Sequence, residues 1–278
     1  MANTKITNPE LFNLGDSTSA TQLPVMTTTQ RTAMTGLSDG EMIFNSTTDK
    51  VEYWDGTKWY GITYEILYPD SLKMYLDASN TTSYPGTGTT WSDLTNNNND
   101  GTINGATWNP GGYFDFNGSS GYVSIADDNS LDWTTSKSLS IWIRPNLVTG
   151  SGGGVISKTA SSGAFGWILQ QYIGNIRFTF KSTDNSYITT PNMALSINTW
   201  THIAVTYDGS IMKLYKNASS FQPVTSNKTP DTNSSPVTIG RYYSNLSTAY
   251  WDGQISKVRM YDKTLSSSEV TALKNEGR

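Results

Sequence analysis

Aromatic side chains beside turns that contain asparagine or aspartate are the residues of this sequence best suited to binding chemistry. A ligand-binding site typically combines apolar ring walls with a few placed amide or hydroxyl groups. Because a large β-domain buries many aromatic residues in any case, the alternative for each ring is the core. The candidate ligand-binding residues are Asn97, Asn98, Asn99, Trp108, Tyr242, Tyr243, Tyr250 and Trp251.

The sequence has few carboxylates that could form the catalytic pair of a glycoside hydrolase. Glycoside hydrolysis uses two carboxyl groups about 5 to 9 Å apart. From residue 66 onward the only glutamates are Glu269 and Glu276, which the sequence places in a terminal helix away from any sheet face. An aspartate pair from Asp115, Asp127 and Asp128 is the alternative, although aspartate is also typical of plain turns. We therefore predict that the protein is not an enzyme.

The single histidine, His202, lies in the alternating stretch WTHIAVTYD. Alternation along a strand puts Trp200, His202 and Ala204 on one face and Ile203 and Val205 on the other. One strand histidine does not make a Ser-His-Asp set, and no Walker or dinucleotide motif is present. We expect His202 to have a structural role.

Calcium is the metal ion that the residue types favour. It takes six to eight oxygen ligands, and Asp93, Asn99, Asp100 and turn carbonyls could supply several. The chain has no cysteine, which excludes disulfides and thiolate-bound zinc. Calcium is thus the one candidate cofactor.

Composition and charge narrow the class of protein. Of the 278 residues, 15% are charged and 12% aromatic, a balance typical of all-β proteins. The net charge is −4 and the 19 Lys and Arg are scattered, so we expect neither nucleic acid nor an anionic membrane surface as a partner. No signal peptide and no apolar run of about 18 residues is visible, which predicts a soluble chain.

The pattern along the chain predicts three parts. Residues 1–22 are polar and patternless and predict an extended arm, whereas residues 23–64 predict a short helix followed by a β-meander. Residues 65–278 contain about a dozen short alternating segments separated by Gly, Asn and Ser turns. The fold class is therefore all-β, a two-sheet antiparallel jelly-roll sandwich with a closing helix over TLSSSEVTALKNEG.

The meander in residues 40–62 is too small to bury its own aromatic side chains. Fewer than about 40 residues rarely form a core without staples or partners, so we expect self-association. The expected oligomerisation residues are Ile43, Phe44, Tyr53, Trp54 and Trp59.

The same region resembles a segment of tail-fibre, collar and other appendage proteins of tailed bacteriophages. The resemblance lies in LPVMTTTQRTAMTGLSDGEMIFNSTTDKVEYWDGTKWYGI, where an MTT-QR helix precedes G-MIFN-T and WDG-W. Its last part is similar in layout to the small trimerising hairpin of phage fibritin. The resemblance implies a virion protein, attached to other virion proteins through this region, and a homotrimer.

The larger domain resembles the laminin-G-like branch of the concanavalin A-like lectin/glucanase superfamily. Five blocks carry the resemblance in order: WSDLTNNNNDGTINGATW, YFDFNGSSGYVSIADDNSLD, SLSIWIRP, NTWTHIAVTYDGSIMKLYKN and WDGQISKVRMYDKTLSSSEV. It implies a β-sandwich that binds carbohydrate or protein surfaces, often beside calcium. Ser256 and Lys257 stand where many relatives have an acidic pair, so a calcium site that needs that carboxylate would lack a ligand.

Together these features predict a surface-exposed phage appendage, on head or tail, whose lectin-like sandwich adheres to glycans. Two alternatives remain: a capsid decoration or cement protein that binds no sugar, and a polysaccharide depolymerase, which the missing glutamates disfavour.

Overall fold

A computed structural model describes the chain in seven stretches, and it divides into two compact units, Met1–Tyr68 and Pro69–Arg278. The predicted arm of residues 1–22 and the predicted boundary after residue 64 lie outside the described residues. The described stretches are 23–48, 50–61, 70–134, 136–147, 153–161, 164–243 and 249–278.

The first unit contains the predicted meander. Its elements are β1 (Val25–Met26), α1 (Thr28–Thr32), β2 (Met42–Asn45), β3 (Lys50–Trp54) and β4 (Trp59–Gly61). The strands form one sheet in the order β1-β2-β3-β4, antiparallel from β2 to β4. Strand β1 runs parallel to β2 and was not predicted, since two residues carry no periodic signal.

Helix α1 is the predicted short helix, and it begins at a capping box. The Thr27 hydroxyl accepts from the backbone N–H of Gln30, and the Gln30 side chain accepts from the Thr27 N–H, which completes a capping box.

The second unit is a two-sheet antiparallel sandwich, which confirms the predicted fold class. Its strands are β5 (Leu72–Asp77), β6 (Thr90–Trp91), β7 (Gly101–Asn104), β8 (Thr107–Asn109), β9 (Tyr113–Asn117), β10 (Tyr122–Ile125), β11 (Lys137–Pro145), β12 (Gly154–Thr159), β13 (Phe165–Tyr172), β14 (Asn175–Lys181), β15 (Tyr187–Thr189), β16 (Met193–Ala194), β17 (Thr201–Tyr207), β18 (Ile211–Lys216), β19 (Ser219–Ser220), β20 (Val224–Thr225), β21 (Val237–Ile239) and β22 (Asp252–Tyr261). Sheet I has the order β15-β14-β13-β12-β21-β10-β7-β6, with β16 beside β14. Sheet II has the order β19-β18-β17-β11-β22-β9-β8, with β20 beside β18 and β5 beside β22.

The main core lies between the two sheets. Successive residues of a strand point to opposite faces, and Ile203 and Val205 of β17 accordingly pack in the core, as the alternation predicts. Large aromatic rings fill much of this space, with four tryptophans fully buried: Trp91, Trp133, Trp167 and Trp251.

A second apolar layer covers the outer face of sheet II. Helix α2 (Ser267–Asn275), the predicted closing helix, begins at a capping box of Ser266 and Glu269 and buries Val270 and Leu273. A salt bridge of 2.8 Å joins Glu276 to Arg259 of β22. The expectation that Glu276 lies away from any sheet face is therefore wrong, because the helix lies on a sheet.

Candidate functional site

The aspartates considered for catalysis have structural partners. The carboxylates of Asp127 and Asp132 lie 2.6 and 2.7 Å from Nζ of the fully buried Lys158. Asp128 accepts a hydrogen bond from the Ser130 N–H at the start of a 3-10 turn. Hydrogen bonds from the side chain and the backbone of Ser130 hold the pKa of Asp128 below its usual value. Asp115 lies on β9, half-buried and opposite Gln254 of β22.

His202 is fully buried on the α2 side of sheet II. Its Nε2 lies 2.8 Å from the Ser140 hydroxyl, and its ring packs 5.4 Å from that of Trp142. Burial, with the charges of Arg259 and Lys274 nearby, lowers the pKa of His202 to about 3. The ring is therefore neutral at physiological pH, which fits the structural role predicted for it.

The loop predicted to bind calcium is held together by its own hydrogen bonds. Each oxygen of the Asp93 carboxylate accepts two of them: Oδ1 from the N–H groups of Tyr75 and Thr95, Oδ2 from the Thr95 hydroxyl and the Asn99 N–H. Asp100 Oδ1 accepts from the Asp93 N–H. Within the described ranges no cluster of three or more acidic or histidine side chains is placed to hold a metal ion. The residues do not form a ready calcium site, and calcium stays a prediction.

The asparagine run is an ordered turn tied to β5. Asn99 Nδ2 donates to the Lys73 carbonyl at 2.7 Å, and the Asn99 side chain is buried, so the prediction that it contacts an external ligand is corrected. Asn97 Nδ2 donates to the Leu72 carbonyl at 3.3 Å. Asn98 is exposed and adopts φ +57°, a left-handed conformation that asparagine tolerates.

The predicted aromatic residues do not form one site. Trp108 donates from Nε1 to the Ala78 carbonyl and is half-buried, while the ring of Tyr250 lies 6.4 Å from that of Tyr122. Trp251 is fully buried in the core, so its predicted role in ligand binding is wrong. Alternation and turn position did not reveal which side of the strand this ring takes.

Tyr242 and Tyr243 lie over the outer face of sheet I, the face turned away from the core. Ser157 of β12 points to that face, and its hydroxyl donates to the Tyr242 carbonyl at 2.6 Å. The neighbouring Thr238 hydroxyl donates to the Arg241 carbonyl at 3.2 Å. These bonds fix the backbone that carries the two tyrosines across the sheet.

Two aromatic residues that the sequence reading missed stand beside this pair. The ring of Phe165 lies 6.4 Å from that of Tyr242 and 5.1 Å from that of Tyr187, while the rings of Tyr242 and Tyr243 are 4.4 Å apart. Tyr187 is 52% exposed. Burial raises the pKa of Tyr242 to about 12, with Tyr243 adding to the shift, so its hydroxyl stays a hydrogen-bond donor at neutral pH.

A cation lies on the same face. Arg177 of β14 stands on the outer face together with Thr179, and its guanidinium lies 3.6 Å from the ring centre of Tyr172. We call the surface formed by Tyr172, Arg177, Tyr187, Tyr242 and Tyr243 the tyrosine face. The alternation in NIRFTFK, with polar residues interleaved between Ile176 and Phe178, was the signal that could have pointed to Arg177.

The first unit has one covered and one uncovered face. Ile43 is buried inside the unit, so the expectation that it needs an oligomer for burial is corrected. The opposite face carries half-buried or exposed apolar side chains, and we call it the open face. Its residues are Val25, Met42, Phe44, Val51, Tyr53 and Tyr60. Predicted residues Trp54 and Trp59 lie on the covered side, half-buried, with ring centres 5.6 Å apart.

A polar network holds α1 against the covered face. Glu52 accepts from Arg31 Nη1 at 2.6 Å, from Asn45 Nδ2 at 3.0 Å and from the Thr48 hydroxyl at 3.1 Å. Asn45 also donates to the Thr28 hydroxyl at 3.0 Å. Thr28 and Arg31 of TTQR thus share one network with Asn45 of MIFN.

Fold and surface together define a two-sheet β-sandwich of the lectin-like class, attached to a small β-unit. Residues 117–271 match the family model of the concanavalin A-like lectin/glucanases superfamily, more than half of the chain, and the chain belongs to this family. Residues 3–130 match a model described as a phage tail like trimerisation region. No curated protein sequence matches significantly. In the described residues, no helix is long and apolar enough to cross a membrane.

The similar solved structures include clostridial toxin domains. The binding domain of Paraclostridial Mosquitocidal Protein 1 is 19% identical, with a TM-score of 0.60 over 75% of this chain and 52% of that one. A structure of botulinum neurotoxin type C, whose cell entry depends on two ganglioside molecules, is 19% identical, with a TM-score of 0.62 over 76% and 52%. The chain spans about half the length of these structures, and the likeness shows the fold.

Proposed function

We propose that the protein is a trimeric carbohydrate-binding appendage of a phage tail or a tail-like particle, located on the virion surface. The first unit joins three copies and attaches them to other virion proteins, and the sandwich binds surface glycans. The observation that carries the binding function is the tyrosine face, an aromatic surface with fixed polar groups on a lectin-like sandwich.

The chemistry of the tyrosine face suits a sugar. Tyr187 offers an exposed ring for stacking, and the Tyr242 hydroxyl, which is hydrogen-bonded to Tyr243, offers a polar group on the same surface. The backbone bond from Ser157 fixes Tyr242 before a ligand arrives, which lowers the entropy lost on binding. Cell entry of botulinum neurotoxin type C depends on two ganglioside molecules, which supports a glycan as the ligand here by analogy of fold alone.

The open face of the first unit supports the trimer. It exposes Val25 to 59% and Tyr60 to 38% on a sheet of four short strands. A small sheet with one uncovered apolar face gains stability when copies pack on it. The match to a trimerisation region names the same kind of assembly.

A glycan array with the full-length chain tests the binding function. We expect binding that Tyr242→Ala and Tyr187→Ala weaken at least about ten-fold, as stacking losses of 1.4 kcal/mol or more imply. Tyr113→Ala, at a ring packed against Trp200 elsewhere in the sandwich, is the matched control. An array without any binding would favour the cement-protein alternative, and sugar release from a bacterial polysaccharide would favour the depolymerase.

Mass measurement in solution tests the assembly. We expect a trimer for the full-length chain and a monomer for residues 69–278. Tyr53→Lys on the open face should also dissociate the trimer, whereas Thr29→Lys, at an exposed position of α1 on the covered face, should not. A monomeric full-length chain would count against the trimer.

A further inference from the structure

We propose that the tyrosine face selects sugars that carry a carboxylate, and that Arg177 is the residue that binds this group. The inference rests on the proposed glycan-binding function and makes its ligand class specific. It stands on the contacts of the Arg177 guanidinium.

Two neighbours fix the guanidinium of Arg177 in one position. The Tyr172 ring lies under it at 3.6 Å. The amide of Gln170 is oriented with its oxygen towards Arg177, and this oxygen accepts hydrogen bonds from Nε and Nη2 of Arg177, each at 2.6 Å. Gln170 is itself only 3% exposed. A guanidinium held in this way loses little freedom when a ligand binds.

The fixed position leaves one edge of the guanidinium for a ligand. Gln170 occupies the edge formed by Nε and Nη2, and no described residue accepts a hydrogen bond from Nη1. The edge formed by Nη1 and Nη2 matches a carboxylate, which can accept two parallel hydrogen bonds there. The pairing is directional and distinguishes a carboxylate from a hydroxyl.

The charge of Arg177 is not neutralised within the described part of the sandwich. Lys181, a second cation of β14 on this face, forms a salt bridge of 3.2 Å with Asp231. No carboxylate among the described residues forms such a pair with Arg177. An unpaired, partly buried cation on an aromatic surface has its strongest complement in an anionic ligand.

The neighbouring groups place the rest of an acidic sugar. The rings of Tyr187 and Tyr242 lie 5.1 and 6.4 Å from the ring of Phe165, which packs between them. In the proposed complex the sugar sets its carboxylate on Arg177, a hydroxyl on Tyr242 and its ring on Tyr187. Neutral sugars would use the last two contacts only.

Calorimetry with matched sugar pairs tests the proposal on the full-length chain. The pairs are lactose with 3′-sialyllactose and cellobiose with cellobiouronic acid. We expect tighter binding of the acidic member of at least one pair. Arg177→Gln should weaken that binding about 10- to 100-fold, as expected for hydrogen bonds between charged groups. Arg177→Lys should restore part of it, and the neutral sugar should change less than about two-fold.

A second arginine provides the matched control. Arg278 also lies over an aromatic ring, that of Trp200, at 4.6 Å, and it donates to the Gly111 carbonyl. Arg278→Gln should leave both affinities unchanged, and circular dichroism should show each variant folded.

The failures of the two proposals are distinguishable. If Tyr242→Ala abolishes binding while acidic and neutral sugars bind alike and Arg177→Gln has no effect, the carboxylate proposal is wrong and glycan binding stands. If no sugar of either kind binds and Tyr242→Ala changes nothing, both proposals are wrong.

Discussion

Glu52, a single buried carboxylate, joins α1 to the sheet of the small first unit. Its side chain is 6% exposed and accepts hydrogen bonds from Arg31, Asn45 and Thr48. Glu52→Gln keeps the shape but removes the charge that pairs with Arg31. Hydrogen bonds to charged groups are worth about 1.5 to 3 kcal/mol, and a broken buried pair costs about 3 to 5 kcal/mol. Because Arg31 is 21% exposed and water can solvate it, we expect a loss of about 2 to 3 kcal/mol.

Hydrogen exchange of β2 and β3, followed by mass spectrometry, measures this loss within the unit. The variant should open about 30- to 150-fold more often than the native chain. Glu41→Gln is the matched control, because the Glu41 carboxylate accepts only locally, from the Ser38 N–H, and an amide oxygen can do the same. Equal protection in the two variants at neutral pH would refute the reasoning.

The pH dependence follows from the same contacts. Burial alone would raise the pKa of Glu52, but the hydrogen bonds from Arg31, Asn45 and Thr48 outweigh it and hold the pKa below the ordinary 4.5. A lowered carboxyl pKa gives stability that is present above pH 4.5 and is lost as the pH falls through the folded-state value. The difference between the native chain and Glu52→Gln should therefore shrink below about pH 4.5.

Three further predictions concern the sandwich. Lys158→Met leaves the nearly buried Asp132 without its partner, a loss of about 3 kcal/mol that should lower the Tm by roughly 6 to 12 °C. Lys181→Met, beside the more exposed Asp231, should lower the Tm by less than about 4 °C, and equal shifts would contradict the role of burial. The ring signals of His202, the single histidine, should not titrate by NMR between about pH 5 and 8, and a midpoint near pH 6.5 would refute the burial of the ring. Because burial lowers the pKa of His202 from 6.5 to about 3, the stability that the neutral ring contributes should be lost as the pH falls below 6.5. Millimolar calcium, compared with EDTA, should raise the Tm by more than about 2 °C if calcium binds as the sequence predicts. An unchanged Tm would count against the prediction and fit a loop in which four hydrogen bonds already occupy the Asp93 carboxylate.

The fold was predictable from the sequence because its signals are local. Alternation in THIAVTY places Ile203 and Val205 in the core, and Ser266 with Glu269 marks the start of α2. The position of Trp251 was not predictable, because a ring next to a turn can face either the core or solvent and the neighbouring strands decide which. The pair of Phe165 and Tyr187 was missed for the same reason, since it joins two strands through tertiary contact.

The tyrosine face separates the residues that make the fold from those that would choose a ligand. Inward residues of β13 and β14, such as Leu169 and Phe178, fill the core, and their outward neighbours Gln170 and Arg177 contribute little to it. Tyr242 is held over the face by a bond from Ser157 to its main chain, so its side chain can change without loss of that bond. Because Arg177 lies outside the core, its substitution should alter the proposed ligand preference at small cost to folding.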